Sequence, residues 1–203
     1  MKEKIAHLIS IVFQPFLMPV YAVLLLVFSD MYRVFYTPQY RALLVGGVVF
    51  FTTILPLLFV AVYMKMGKVS DLFISNRKER TIPYLVSFLC CLLCIRFLIY
   101  MSVPTWVVYV ALGATVSLVL ITVINLWWKV SAHMSCIGNI CGVVFGSALV
   151  WQTNPVWLFI LLITISALVA WARLILKAHT PLQVLCGFLI GLWGPFAMIL
   201  IAL

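Results

Sequence analysis

The sequence predicts an all-α integral membrane protein, a polytopic bundle of about seven hydrophobic helices. Hydrophobic residues make up 67% of the 203-residue chain, charged residues only 8%, and the mean hydropathy is +1.27. Soluble domains contain about 25% charged residues, and a helix needs about 20 mostly apolar residues to cross a bilayer. With short connections, the chain therefore holds six or seven spans in a single membrane domain, residues 1–203.

Apolar runs place the spans in order along the chain. The first run is longer than the apolar core of a signal peptide, which predicts a retained helix. Pro15, Pro19 and Pro56 lie inside the first two runs and predict kinks there. The third and sixth spans are predicted from the length and apolar composition of their runs alone. The predicted spans are residues 5–29, 41–66, 83–102, 105–128, 132–151, 155–176 and 180–203.

Aromatic and small residues support the remaining spans. Trp106 and the Trp127–Trp128 pair lie at the two ends of the fourth run, where membrane interfaces favour tryptophan. Glycines recur every four residues in the fifth and seventh runs, which predicts that these helices approach other helices closely. These glycines are Gly138, Gly142 and Gly146 in the fifth run, and Gly187 and Gly191 in the seventh.

The formal net charge of +9 predicts an anionic partner. The basic residues are confined to a few loops between apolar runs, a pattern that favours the bilayer surface or an anionic substrate over nucleic acid. All six cysteines lie inside apolar runs and lack the spacing of a metal site. The sequence therefore excludes a soluble nucleic-acid-binding protein.

Three polar clusters interrupt the apolar pattern, at residues 70–83, 129–133 and 173–183. An even number of predicted spans separates each cluster from the next, so all three are expected on one face of the membrane. Each cluster contains an arginine, lysine or histidine that can hold an anion. Two histidines able to move protons complete the set, and together these groups describe a phosphoryl-transfer site.

The third cluster predicts its own local structure. Thr180 can cap the last helix and Pro181 suits its first turn, which places His179 at the positive end of that helix. Arg173 precedes His179 by six residues. That spacing requires an irregular turn, or the helix break at Thr180, to bring both side chains to one ligand.

The clusters resemble the phosphatidic acid phosphatase type 2 and haloperoxidase superfamily, whose motifs read KxxxxxxRP, PSGH and SRxxxxxHxxxD. The third motif corresponds to Ala172-Arg173, His179 and Gln183, and the second to residues 130–133, Val-Ser-Ala-His. The resemblance covers residues 65–195, and residues 1–64 supply two N-terminal spans.

The first motif matches the family pattern least well. Arg80 is followed by Pro83 rather than by an adjacent proline, Phe73 occupies the lysine position, and Arg77 stands in for that lysine.

The resemblance implies a membrane-embedded phosphatase that hydrolyses a phosphomonoester or diphosphate on a lipid through a phosphohistidine intermediate, without metal or cofactor. His179 would be the nucleophile, and His133 the acid that protonates the leaving oxygen. The groups that would hold the phosphate are Arg77, Arg80, Ser131 and Arg173.

Gln183 departs from the family, which has an aspartate at this position. Gln183 can orient His179 through its carbonyl oxygen, or it can complete a capping box with Thr180. Loss of the carboxylate leaves open a catalytically silent relative that binds anionic lipid or a membrane partner. A transporter is less favoured, because the clusters gather at one face rather than at mid-membrane.

Two indicators of sidedness disagree. The positive-inside rule places the face with the motifs in the cytoplasm, whereas members of the family that the chain resembles often work on the outer side. The expected location is the inner membrane of a bacterium. The basic residues on the motif face are Lys2, Lys4, Lys65, Lys68, Arg77, Lys78, Arg80, Lys129, Arg173 and Lys177, against Arg33 and Arg41 on the other.

Overall fold

The computed structural model describes residues 1–28, 36–71, 74 and 76–202. The regular structure in this part of the chain is helical throughout, and seven helical stretches in it are long and apolar enough to cross a membrane. These observations confirm the predicted all-α fold and identify an integral membrane protein. The seven stretches are Lys2–Phe28, Pro38–Lys65, Arg77–Tyr100, Thr105–Asn125, Ala132–Val150, Val156–Ile175 and Pro181–Ile201.

Breaks in the first two stretches divide the described residues into nine α-helices. Predicted and observed ends differ by a few residues, and predictions at position 29, Arg33, Phe73 and position 203 lie outside the described residues. The helices are α1 Lys2–Val12, α2 Met18–Phe28, α3 Pro38–Val49, α4 Leu55–Lys65, α5 Thr81–Tyr100, α6 Thr105–Asn125, α7 Ala132–Val150, α8 Val156–Ile175 and α9 Pro181–Ile201.

The breaks lie at the prolines that the sequence singles out. A 3₁₀ turn, Pro15–Leu17, separates α1 from α2, and a π-helical turn, Phe50–Ile54, precedes α4. Pro56 has no N–H to give to the carbonyl of Thr52, and its ring would clash with that carbonyl in a regular helix. The wider π turn, in which the Leu55 N–H donates to the Phe50 carbonyl, avoids both problems.

The described residues form two compact units. The first unit consists of residues 1–15 and 104–203, and therefore contains α1 and α6 to α9. The second unit consists of residues 16–103 and contains α2 to α5. In the first unit, α9 packs against α6 and α7, and α1 packs against α8.

The α7–α9 pair is the tightest helix contact of the first unit, and it confirms the prediction from the glycine spacing. A Cβ atom on Gly191 would overlap the carbonyl of Ser135, and one on Gly187 would approach the carbonyl oxygen of Ser131 to 2.5 Å. Gly138 and Gly142 of α7 lie equally close to the backbone of α9, whereas Gly146 faces the side chain of Ile199. Because no side chain separates the two backbones, the start of α7 is held directly on the first turns of α9.

Side-chain hydrogen bonds to backbone carbonyls tie the second unit together. The Thr53 hydroxyl in the π turn donates to the Phe16 carbonyl at 2.6 Å, and the Tyr40 hydroxyl donates to the Met101 carbonyl at 2.7 Å. Each carbonyl lies beside a helix terminus, where backbone groups lack helical partners. These bonds therefore fix the helix ends of this unit.

Candidate functional site

Ser131 joins the beginning of α7 to the beginning of α9. Its hydroxyl caps α7 by accepting from the Met134 N–H at 3.4 Å, and its own N–H donates to the Gln183 carbonyl at 3.3 Å. Ser131 is fully buried. The link places the second polar cluster directly beside the third.

A tight turn at the end of α8 accounts for the six-residue spacing between Arg173 and His179. The Ala178 N–H donates to the Arg173 carbonyl at 3.1 Å, and the Lys177 N–H donates to the Leu174 carbonyl at 3.0 Å. Lys177 has a left-handed backbone with φ of +49°. This combination is a Schellman motif. It ends α8 and folds the chain back, so that the irregular turn expected from the spacing is present.

Gln183 makes both of the contacts that the sequence offered as alternatives. Its Oε1 accepts from the Thr180 N–H at 3.2 Å, while its own N–H donates to the Thr180 hydroxyl at 3.4 Å, which completes a capping box. The same Oε1 lies 3.2 Å from Nδ1 of His179. One oxygen therefore caps α9 and orients the imidazole.

The shared oxygen fixes the tautomer of His179. An amide oxygen that accepts from a backbone N–H has no hydrogen to give, so the contact requires His179 to donate from Nδ1. In the neutral ring, Nε2 then retains its lone pair. This is the form of histidine that a phosphorus nucleophile requires.

Arg173 and His133 converge on a third residue, Ser10 of α1. Nη1 of Arg173 donates to the Ser10 hydroxyl at 3.1 Å, and Nε2 of His133 lies 3.2 Å from the Ser10 carbonyl oxygen. A carbonyl oxygen only accepts, so His133 donates from Nε2. All three residues are buried, Ser10 being 1% exposed. Helix α1 thus reaches the same end of the first unit as the second and third polar clusters.

The Ser10 carbonyl is available to His133 because α1 ends beside it. In a continuing α-helix the Gln14 N–H would donate to Ser10, but it donates to Ile11 at 3.3 Å instead. The following residue is Pro15, which has no N–H. The proline break in the first span therefore creates an acceptor at the site.

Ser10 lies outside the motifs and is the site residue that sequence reasoning missed. It sits in an apolar run, where one serine carries little information. The available signal is the pair Ala6 and Ser10, two small residues four positions apart, which are the buried residues of α1. Such spacing marks a packed helix face, but it does not identify the partners.

Arg80 and Arg77, expected to bind phosphate, belong to the second unit, whereas the other expected site residues belong to the first. Arg80 is buried, and its Nε donates to the Ile74 carbonyl at 2.7 Å. Arg77 is half-buried and begins the 3₁₀ turn Arg77–Glu79. Arg80 therefore uses at least one of its donors to hold Ile74 within the second unit.

The loop around these arginines is closed by a carboxylate. Glu79 accepts from the Ser70 N–H at 2.7 Å, from the Ser70 hydroxyl at 2.9 Å, and from the side-chain amide of Asn76 at 2.8 Å. Asn76 in turn caps the 3₁₀ turn by accepting from the Lys78 N–H at 3.2 Å. These bonds link Ser70 and Asn76 through Glu79 and fix the 3₁₀ turn before α5.

Charge makes the end of the first unit suitable for an anion. Residues 104–203 contain no aspartate or glutamate, and Glu3 is the only acid in the sequence of this unit. The same residues supply Lys129, Arg173 and Lys177 as cations. A buried guanidinium that shares Ser10 with His133, in a segment without acids, favours a negatively charged ligand.

These features define an integral membrane protein in which Arg173, His133 and His179 are buried at neighbouring ends of α7, α8 and α9. Comparisons of the chain with protein-family models, with curated proteins and with solved structures find no match.

Proposed function

We propose that this protein is a membrane-embedded phosphatase that hydrolyses a phosphomonoester or diphosphate on a lipid through a phosphohistidine at His179. The observation that carries the proposal is the contact between His179 Nδ1 and Gln183 Oε1, at 3.2 Å. It prepares Nε2 as a nucleophile next to the turn that holds Arg173. The resemblance of the three polar clusters to the phosphatidic acid phosphatase type 2 superfamily supports the same proposal.

The first step transfers the phosphoryl group to His179. Nε2 attacks phosphorus and forms a P–N bond, while the P–O bond to the lipid breaks. The leaving oxygen takes the proton that a protonated His133 holds on Nε2, which moves away from the Ser10 carbonyl. The lipid alcohol departs, His133 becomes neutral, and the phosphoryl group remains on His179.

The second step releases inorganic phosphate. A water molecule attacks phosphorus, the P–N bond breaks, and its electron pair returns to Nε2 of His179. His133 takes the proton from the water at its own Nε2 and regains its starting charge. Cationic and hydroxyl donors stabilise the charge on the phosphoryl oxygens in both steps. In this proposal the donors within the first unit are Ser131 and Arg173.

The buried position of the cluster at the end of apolar helices favours an amphiphilic substrate. His133, Arg173 and His179 are all less than one tenth exposed. A phosphate attached to a lipid can reach such a site from the bilayer while its chains stay in the apolar phase. The substrate classes to test are phosphatidates, polyprenyl diphosphates and phosphorylated lipid headgroups.

The test is phosphate release from a panel of these lipids by the purified full-length protein in detergent or vesicles. We expect turnover of at least one lipid phosphate, and slower turnover of water-soluble phosphomonoesters. Absence of phosphate release from every lipid in the panel would contradict the proposed phosphatase activity.

Gln183→Glu offers a test that preserves the geometry. Glutamate has the length of glutamine and can keep both the capping box and the contact with His179, but it adds a negative charge. Positive charge develops on the imidazole as the P–N bond forms, so we expect turnover to rise about tenfold, equivalent to about 1.4 kcal/mol of the barrier. The measurement is kcat for the best lipid of the panel.

The matched control for this charge change is Gln183→Met, which keeps the length and removes the acceptor. We expect it to lower kcat, because neither His179 nor the Thr180 N–H retains its partner. An equal kcat for the folded Gln183→Glu variant and the wild type would show that the charge next to His179 does not limit the reaction.

A catalytically silent protein that binds anionic lipid is the second candidate function. Two observations favour it: Ser10 accepts from both Arg173 and His133, and the orienting oxygen of Gln183 is shared with the helix cap. This candidate predicts saturable binding of lipid phosphate without phosphate release. Substitution of His179 would then leave the binding unchanged.

The proposed location is the inner membrane of a bacterium. The charge distribution of the sequence favours a cytoplasmic face for the site, and the resemblance favours the outer face. Labelling a cysteine introduced at Lys129, from one side of sealed vesicles, distinguishes the two orientations.

A further inference from the structure

Ser10 differs from several other hydroxyl residues in the helices of the first unit. Thr115, Ser117, Thr122, Thr164 and Ser166 each donate to the carbonyl four residues earlier in their own helix. This local bond satisfies the hydroxyl hydrogen in an apolar environment. Ser10 does not donate to Ala6, the equivalent residue in α1; its hydroxyl oxygen is instead turned toward Arg173.

The hydroxyl hydrogen of Ser10 has no acceptor among the described residues. Ser10 uses its Oγ to accept from Arg173 and its carbonyl to accept from His133. The residue is 1% exposed, so bulk water does not replace the missing acceptor. Buried hydroxyl donors normally have a partner. An acceptor oxygen from a ligand would complete this one.

We infer that Ser10 binds the substrate phosphate, donating its hydroxyl hydrogen to a phosphoryl oxygen while its Oγ accepts from Arg173. The inference rests on the proposed function and adds a binding residue from the N-terminal helix, outside the motifs. A hydrogen bond received from a guanidinium polarises the hydroxyl and strengthens it as a donor. An oxygen of an anionic phosphate is the acceptor that such a donor suits best.

The geometry of Ser10 matches that of Ser131, the serine of the second motif. Both are buried, and both accept one hydrogen bond at Oγ from a donor in the first unit. Ser131 accepts from the Met134 N–H, and Ser10 from Arg173. Each hydroxyl can therefore donate its hydrogen to a phosphate oxygen without breaking the bond that its Oγ already accepts.

The experiment measures the affinity of the purified full-length protein for inorganic phosphate by calorimetry, together with KM for the best lipid phosphate. Ser10→Ala and the nearly isosteric Ser10→Cys remove the strong donor, whereas Ser10→Thr restores a hydroxyl. We expect about tenfold weaker phosphate binding and about tenfold higher KM for the first two, since hydrogen bonds to charged groups are the strong ones. Ser10→Thr should lie within about threefold of the wild type.

Thr164→Ala is the matched control, because it removes an exposed hydroxyl with a local helix bond in the same unit. We expect wild-type binding and KM for this variant, and the melting temperature in detergent establishes that each variant is folded. Unchanged or tighter phosphate binding by both Ser10→Ala and Ser10→Cys would overturn the role of Ser10 and leave the phosphatase proposal standing. Failure of the wild type to bind or hydrolyse any phosphate would overturn both.

Discussion

Replacement of His179 by alanine is expected to lower phosphate release from a lipid substrate by about a thousandfold or more, the scale of loss for a deleted nucleophile. The substitution removes Nε2, the atom that forms the P–N bond, so that only direct attack by water remains. Arg173, Ser131 and His133 stay in place, and phosphate binding should therefore change little. The measurement is kcat together with the dissociation constant for inorganic phosphate.

His7→Ala provides the matched control for the loss of an imidazole. His7 lies in α1, on the same helix as Ser10, but it is exposed. Its replacement should leave kcat and phosphate binding unchanged. Turnover of the His179→Ala protein at more than about a tenth of the wild-type rate would rule out His179 as the nucleophile.

Gly191→Leu is expected to have the largest effect on stability. Even a Cβ atom at this position overlaps the Ser135 carbonyl, so a leucine forces α7 and α9 apart. We expect a loss of at least about 2 kcal/mol in the free energy of unfolding, because overpacking against backbone cannot be relieved by a rotamer change. The separation also strains the bond from Ser131 to Gln183, so phosphate release should fall with the melting temperature in detergent.

Gly46→Leu is the matched control, because it makes the same substitution at a glycine with open space around it. A Cβ on Gly46 of α3 has no heavy atom within 4 Å, apart from its own helix backbone and adjacent residues. Leucine is the better helix former by about 0.8 kcal/mol, so this variant should be as stable as the wild type or slightly more stable. Equal melting temperatures for the two variants would contradict the close α7–α9 contact.

Local physics accounts for what the sequence could predict. The lengths of the apolar runs predicted the seven spans, since each must satisfy its backbone within the bilayer. The spacing of Gly187 and Gly191 predicted a close helix contact, and Thr180 with Gln183 predicted the capping box. In each case the cause lies within one turn or one helix face.

Long-range contacts account for the features that the sequence could not predict. Ser10 and Arg173 are separated by more than 160 residues in the chain, and no local pattern links them. The sharing of Gln183 Oε1 between His179 and Thr180 also depends on three-dimensional geometry. A lysine, Lys177, occupies the left-handed position that usually favours glycine, which hides the turn between Arg173 and His179 from sequence patterns.

Trapping a phosphoryl group on His179 is the sharpest test of the proposed mechanism. The purified protein is mixed with a lipid phosphate labelled with ³²P, quenched in alkali within milliseconds to seconds, and digested for peptide mapping. Phosphohistidine survives alkali and is lost in acid, so we expect an alkali-stable, acid-labile label on the peptide that contains His179. If the protein turns over the lipid while the label is found on another residue, or is trapped on His179 at no quench time, His179 is not the nucleophile.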